Sequence, residues 1–300
     1  WATASYRNLH RPAAAVVLGT LLGLKVVFRS DDIYREMDQP WAVYKWPIRL
    51  TSWVNEHLAR RSSAFMVVCS ELRRLLVTRG MAYPAIYLSP NGVDRSVFHA
   101  LDREACRQSI GLGRDDAVIL FVGRSSGSEY RLDVLLQALP LVIQDIPEAL
   151  LILLGDKPTL HQKALIDSHD LSGRVRVYGS LPQERVTQFI AASDLCMGPL
   201  GPTQAIPLKV LEYMACGRPL VTGHRSVSRD LGLNPSNCIV VPPDPETLAA
   251  SMIKVLQDRH YGRRLAARAG LGLGWFDWAR IAHQMESQLR TADSGSPREP

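Results

Sequence analysis

Apolar residues fall along this chain in two alternating rhythms. Short unbroken runs, Val26-Val27-Phe28, Ala64–Val68, Ala117–Val122 and Ala149–Leu154, read as strands covered on both faces. Weaker runs at 85–88, 174–178, 194–197 and 238–241 extend the set. Between them, apolar positions recur every three or four residues over 71–79, 104–110, 132–145, 159–169, 183–192, 245–258 and 260–270, the period of an amphipathic helix. Further helices are expected at 12–24, at 41–60 and, last in the chain, over Trp275–Leu289, with Ser294–Pro300 as a disordered tail. Regular alternation of strand and helix predicts an α/β fold with parallel sheets.

The stretch Pro207–Val221 concentrates the strongest local signals. Pro207 suits a helix start, and Leu208, Leu211 and Ala215 share one face at helical spacing. Gly217 ends the helix and Arg218-Pro219 keeps it from resuming. A helix N-terminus presents unpaired N–H groups, which suit a phosphate. Glu212 lies a turn inside, where it either accepts hydrogen bonds from sugar hydroxyls or is a solvated side chain.

Other candidate chemistry sits where strands end. Phe121-Val122-Gly123-Arg124 runs into a small-residue loop followed by Arg131 and Asp133. A glycine turn lets the backbone approach a phosphate, and arginines add paired donors. Gly155-Asp156 and Val177-Tyr178-Gly179 also close apolar runs, either as ordinary sheet termini or as the lining of a slot for a base or sugar.

Composition narrows the classes. With 46% hydrophobic and 21% charged residues among 300, a packed protein of one large or two medium domains is expected. A net charge of +6 permits an anionic partner, but the arginines are dispersed without a stacking-aromatic cluster, so nucleic acid is not expected. Five scattered cysteines form no CxxC pair, which argues against zinc or a disulfide framework and fits a reducing, cytoplasmic compartment. The apolar run Ala13–Leu24 is too short to span a bilayer.

Taken in order, these pieces resemble the family-4 type of GT-B glycosyltransferases, the glycosyl transferases of group 1. Ser89-Pro90-Asn91-Gly92-Val93-Asp94 with Phe98 resembles the family's PNGVD signature, Phe121–Arg124 its FVGR, and Leu151–Asp156 and Val175–Gly179 its two strand–glycine blocks. Ser193-Asp194, Pro207–Val221 and Asp277–Ala282 resemble the remaining blocks. The resemblance implies two Rossmann-like domains facing a cleft. The division it suggests is 1–97 for a partial acceptor-side domain, 98–274 for the nucleotide-sugar domain, and 275–300 for a crossover helix and tail. The chain begins at Trp1, and family members are usually longer, so an N-terminal portion with a first glycine-rich loop is expected to be missing.

The resemblance further implies a retaining transferase that uses a nucleotide sugar and no metal or other cofactor, with a saccharide or lipid-linked acceptor. Gly123, Arg124, Arg131, Val177, Tyr178, Leu208 and Glu212 form the implied donor site. Arg124 and Arg131 would hold the pyrophosphate, with Tyr130 in the alternative one-residue alignment, and Glu212 would bind the ribose. The family's upstream Glu is replaced by Gln204, and its His-Asp pair by Asp31-Asp32; Gln204 and Asp31 are the corresponding catalytic candidates. These departures keep open a non-catalytic nucleotide-binding protein or complex subunit, and more remotely an epimerase. Helix 41–60, with Trp41, Trp46, Trp53, Lys45 and Arg49, followed by Arg60-Arg61, suggests peripheral contact with the inner face of the cell membrane, the alternative being packed tryptophans and a solvated charged face.

Overall fold

A computed structural model describes residues 2–5, 18–19, 21–24, 26–30, 64–78, 86–126, 129–201, 207–223 and 230–294. It divides into two compact units, one made of the described residues up to Asn91 and from Ala279 onward, the other of those between Gly92 and Trp278. Helix 41–60, residues 295–300 of the tail, Asp31 and Gln204 lie outside the described residues.

The first unit is a parallel sheet in the order β1 (Ala2–Ser5), β2 (Val26–Ser30), β3 (Ala64–Val67) and β4 (Ile86–Leu88), with α1 (Ser70–Thr78) between β3 and β4. β1 carries no apolar run; its strand character comes from pairing with β2, Ala2 opposite Val26. Val27, Ala64, Met66 and Tyr87 form its core, and Met285 and Leu289 pack on them. Arg29 donates to the Asn91 side-chain oxygen at 3.1 Å.

The second unit holds six parallel strands: β5 (Ala117–Gly123), β6 (Ala149–Gly155), β7 (Val175–Tyr178), β8 (Leu195–Met197), β9 (Leu220–Gly223) and β10 (Ile239–Val241). Their spatial order is β10-β9-β8-β5-β6-β7. The unit's first strand therefore lies beside its fourth, and the winding reverses between β5 and β8, where open α/β sheets bind ligands beyond the carboxyl ends. The helices are α2 (Arg103–Ser109), α3 (Leu132–Asp145), α4 (Leu160–Ser168), α5 (Gln183–Ala192), α6 (Leu208–Ala215), α7 (Pro245–Gln257) and α8 (Arg259–Leu271).

Both faces of β5 and β6 are buried, which is why their sequences are unbroken apolar runs. Ile119, Phe121, Leu151 and Leu153 pack with Leu135, Leu139, Leu248 and Met252 of α3 and α7 in the main core. Truncating such a leucine to alanine typically costs about 2–5 kcal/mol.

The last helix departs from expectation. Leu273–Phe276 is a 3-10 turn, and α9 runs from Trp278 to Ser294 rather than starting at Trp275. Asp277, with extended backbone (φ −74°, ψ 131°), bridges to Val93 and breaks the helical run.

Candidate active site at the carboxyl edge of the second unit

The loop after β5 is fixed from below by a helix cap. Thr159 and Gln162 form a capping box at the start of α4. The same Gln162 amide donates to the Ser125 carbonyl at 2.7 Å, and the Ser125 hydroxyl donates to the Lys157 carbonyl at 2.7 Å. Gly123 and Gly155, side by side at the ends of β5 and β6, have φ of 146° and 119°. A Cβ on Gly155 would collide with the Gly123 carbonyl oxygen, and one on Gly123 with Lys209 Nζ. Gly123 and Gly155 thus form a single bare ledge of backbone.

On the other side, β5 outlasts β8. The β5–β8 pairing runs from Ile119 opposite Leu195 to Phe121 opposite Met197 and stops. Beyond it, two side chains of α6 take over the backbone groups of Val122. Its N–H donates to Tyr213 Oη at 3.0 Å, and its carbonyl accepts from Lys209 Nζ. The loop following β8 returns to the loop after β5 through the Gly201 N–H, which donates to the Glu129 carbonyl at 2.8 Å.

α6 forms where the spacing predicts it, and of the expected apolar face Leu211 is fully buried while Ala215 is only partly so. Pro207 stands just before the helix as its cap residue, and Leu208 is 45% exposed. The buried side chains are Lys209, Val210, Leu211, Tyr213 and Met214. Gly217 and Arg218 close the end through bonds to the carbonyls of Met214 and Tyr213, at 3.1 and 3.0 Å. Glu212 is partly buried, and burial pushes its carboxyl up to about 7, with Lys209 pulling the other way.

Each expected donor-site residue can be located; the catalytic candidates Asp31 and Gln204 lie outside the described residues. Gly123, Arg124, Arg131, Leu208 and Glu212 sit on the loops and helix around the β5 carboxyl end. Arg124 is well exposed and pairs with Glu129 at 3.0 Å. Arg131 precedes α3 in left-handed backbone (φ 48°) and pairs with Asp133 at 3.2 Å. Val177 and Tyr178 end β7, the edge strand, two strands from β5. Tyr178 packs against Phe189 of α5 (ring centroids 4.8 Å apart), and Val177 is exposed.

Asp194, in the Ser193-Asp194 motif, lies at the opposite, amino-terminal edge. Its Oδ2 accepts from Arg107 at 2.6 Å and from the Val118 N–H at 2.9 Å, and its Oδ1 accepts from Arg103 at 2.5 Å. That motif residue ties α2 to the sheet. Lys209 was missed from sequence. Its Nζ stands 3.8 Å from the Tyr130 ring centroid and 5.3 Å from that of Phe121. Among the described residues, no cluster of three or more His, Cys, Asp or Glu could hold a metal ion, and no helix is long and apolar enough to cross a membrane.

Residues 116–258 match the family model of the glycosyl transferases of group 1. A phosphatidyl-myo-inositol mannosyltransferase of Mycolicibacterium smegmatis is 26% identical over 225 residues, 73% of this chain and 55% of the relative. A D-inositol 3-phosphate glycosyltransferase of Xylanimonas cellulosilytica is 30% identical over 228 residues, 72% of this chain and 53% of the relative. The chain thus spans somewhat more than half the length of these relatives. Among solved structures, Anabaena Alr3699/HepE in complex with UDP superposes with a TM-score of 0.80 at 19% identity, over 97% of this chain and 79% of that one. Sucrose-phosphate synthase from Thermosynechococcus elongatus gives 0.78 at 18% identity, over 98% and 74%. The doubly wound second unit, the parallel first sheet and these likenesses agree: residues 116–258 form a domain of the glycosyl transferases of group 1, and the chain has the fold of the GT-B glycosyltransferases.

Proposed function

We propose that this chain transfers a sugar from a nucleotide-sugar donor to a saccharide or lipid-linked acceptor, with retention at the anomeric carbon and without a metal. The observation that supports this best is the crevice where β5 outlasts β8, floored by the Gly123–Gly155 ledge and flanked by α6 with Glu212. The group 1 match and the UDP bound by HepE agree with a nucleotide-sugar donor. In the reaction, the bond from the anomeric carbon to the phosphate oxygen breaks and the nucleoside diphosphate leaves. The acceptor oxygen bonds to the same face of that carbon and passes its proton to the departing phosphate oxygen.

Negative charge gathers on the leaving diphosphate, and cations there replace a metal. Arg124 and Arg131 are assigned this task, each turning from its carboxylate partner to the phosphates. Exposed ion pairs are worth about 0–1 kcal/mol, so the exchange costs little. The partly buried Glu212 would accept the ribose hydroxyls in its ionised form. Val177, Tyr178 and Leu208 complete the proposed donor set. Gln204 and Asp31 are assigned to the sugar side on sequence grounds. Gln204 offers hydrogen bonds but no negative charge, which favours, as second reading, a subunit that binds donor without turning it over.

The test is a thermal-shift screen of UDP, GDP, ADP and their sugars. A ligand at 100 times its Kd adds about 2.7 kcal/mol. No shift from any of them contradicts the reading; a shift without sugar release or transfer selects the second one. A lipid-linked acceptor at the cytoplasmic membrane face fits the phosphatidyl-myo-inositol relative and the tryptophan-rich 41–60 segment. Failure to sediment with anionic vesicles at low salt would point to an unanchored acceptor.

A further inference from the structure

The two arginines assigned to the diphosphate both lie on the loop after β5, and each is paired with a carboxylate on that loop or at the start of α3. The cation placed deepest at the crevice is a different one. Lys209 comes from the first turn of α6, is buried, and puts its ammonium against the last carbonyl of β5 on the β8 side. Tyr130 and Phe121, edge to face at 5.8 Å, flank it. Gly123 lacks the Cβ that would occupy the ammonium's place.

We propose that Lys209 is a donor-phosphate cation of this site, supplied by α6, with the Tyr130 ring as its seat. This rests on the nucleotide-sugar reading above. Three observations carry it. First, the ammonium stands at the glycine ledge, at the point of the sheet where the winding reverses. Second, Lys209 and Glu212 are three residues apart and so share one face of α6, separated by about 4.5 Å along its axis. A nucleoside diphosphate carries its phosphates and its ribose diol only a few bonds apart, so one helix face would read both. Third, Tyr130 occupies the position to which a one-residue shift of the pyrophosphate-partner alignment leads; it has no charge to give a phosphate, but its ring face holds the ammonium that does.

Lys209 also braces α6 against β5, and a purely bracing role makes a different forecast. Bracing predicts that Lys209→Met lowers the melting temperature and weakens nucleoside and nucleoside diphosphate equally. Phosphate binding predicts a selective loss. Calorimetric titration with UDP, GDP and ADP, and with the matching nucleosides, separates the two. For the nucleotide that binds the wild type, Lys209→Met should weaken diphosphate affinity about 10- to 100-fold, the usual weight of a charge-assisted bond, and nucleoside affinity less than threefold. Should that variant not fold, Lys209→Gln serves the same comparison. Tyr130→Lys combined with Lys209→Met, which returns a positive charge from the other side of the seat, should recover most of the diphosphate affinity. An unchanged ratio of diphosphate to nucleoside affinity in the folded variants overturns the proposal and leaves the donor reading standing. Absence of any nucleotide binding by the wild type overturns both.

Discussion

The backbone N–H of Val122 donates to the hydroxyl of Tyr213 at 3.0 Å, across the gap left where β8 ends. Tyr213 is fully buried, and burial pushes its phenol well above the ordinary range, so the hydroxyl stays neutral. Tyr213→Phe removes the acceptor and strands a backbone donor. The expected cost is about 1–3 kcal/mol, read as a lower urea midpoint. An unchanged midpoint would mean that the N–H finds another acceptor and that α6 is not needed to finish the β5 edge.

The opposite edge makes a prediction about stability alone. Arg107 is 1% exposed and donates to the carbonyls of Ala192, Gly113, Arg114 and Asp116 as well as to Asp194. Asp194→Ala leaves a buried guanidinium without its counter-charge and should cost about 3–5 kcal/mol. Nucleotide affinity of the folded protein should stay within twofold, because the clamp is at the amino ends of the strands. A large loss of affinity at small loss of stability would reassign Asp194 to the ligand site.

The glycine pair separates backbone strain from ligand chemistry. Gly155→Ala drives a Cβ into backbone and forces a positive φ on alanine, so it should destabilise the fold by about 2 kcal/mol or more. Gly123→Ala meets only the tip of the Lys209 side chain, which can swing away, in addition to the strain of its φ. It should therefore cost less stability and more diphosphate affinity than its neighbour. The reverse ranking, from urea melts and titrations of both variants, would contradict the ledge as described.

Glu212 makes stability depend on pH in a stated direction. In the folded chain it keeps its proton up to about 7, against 4.5 for an unperturbed glutamate carboxyl. Folding therefore takes up a proton between those values, and stability falls as pH rises through that window, by about 3 kcal/mol across the whole of it. Glu212→Gln should flatten this slope, so the wild-type minus variant difference in urea stability between pH 5 and 8 is the measurement. Ribose binding needs the ionised form, so nucleotide affinity should strengthen as pH rises through 7. A slope that survives in the Gln variant would place the titrating group elsewhere.

These predictions draw unequally on what the sequence made legible. The central strands could be read directly, since Ala117–Val122 and Ala149–Leu154 are short unbroken apolar runs, the pattern of a strand covered on both faces, and both are buried. Glycines at strand ends and Glu212 within its helix were visible from local spacing. Lys209 was not, because a lysine in an amphipathic helix ordinarily lies on the solvated face. Its burial depends on Tyr130 and Val122, some 80 residues away in sequence. For the same reason the spacing alone did not show how far burial spreads around α6: besides Leu211, Tyr213 and Met214 turn inward beside the β8 gap, and Leu208 is left outside. Strand β1, Ala-Thr-Ala-Ser, has no local signal and exists through its partner β2.

The central claim is that a nucleotide sugar binds at the carboxyl edge of the second sheet. Its most direct test is a crystal structure of the chain with the nucleoside diphosphate that binds best. The account predicts the diphosphate over the Gly123–Arg124 turn, within hydrogen-bond reach of Arg124, and the ribose hydroxyls on the Glu212 carboxylate. A nucleotide bound away from that edge, or bound there with Glu212 turned away from the ribose, would contradict it.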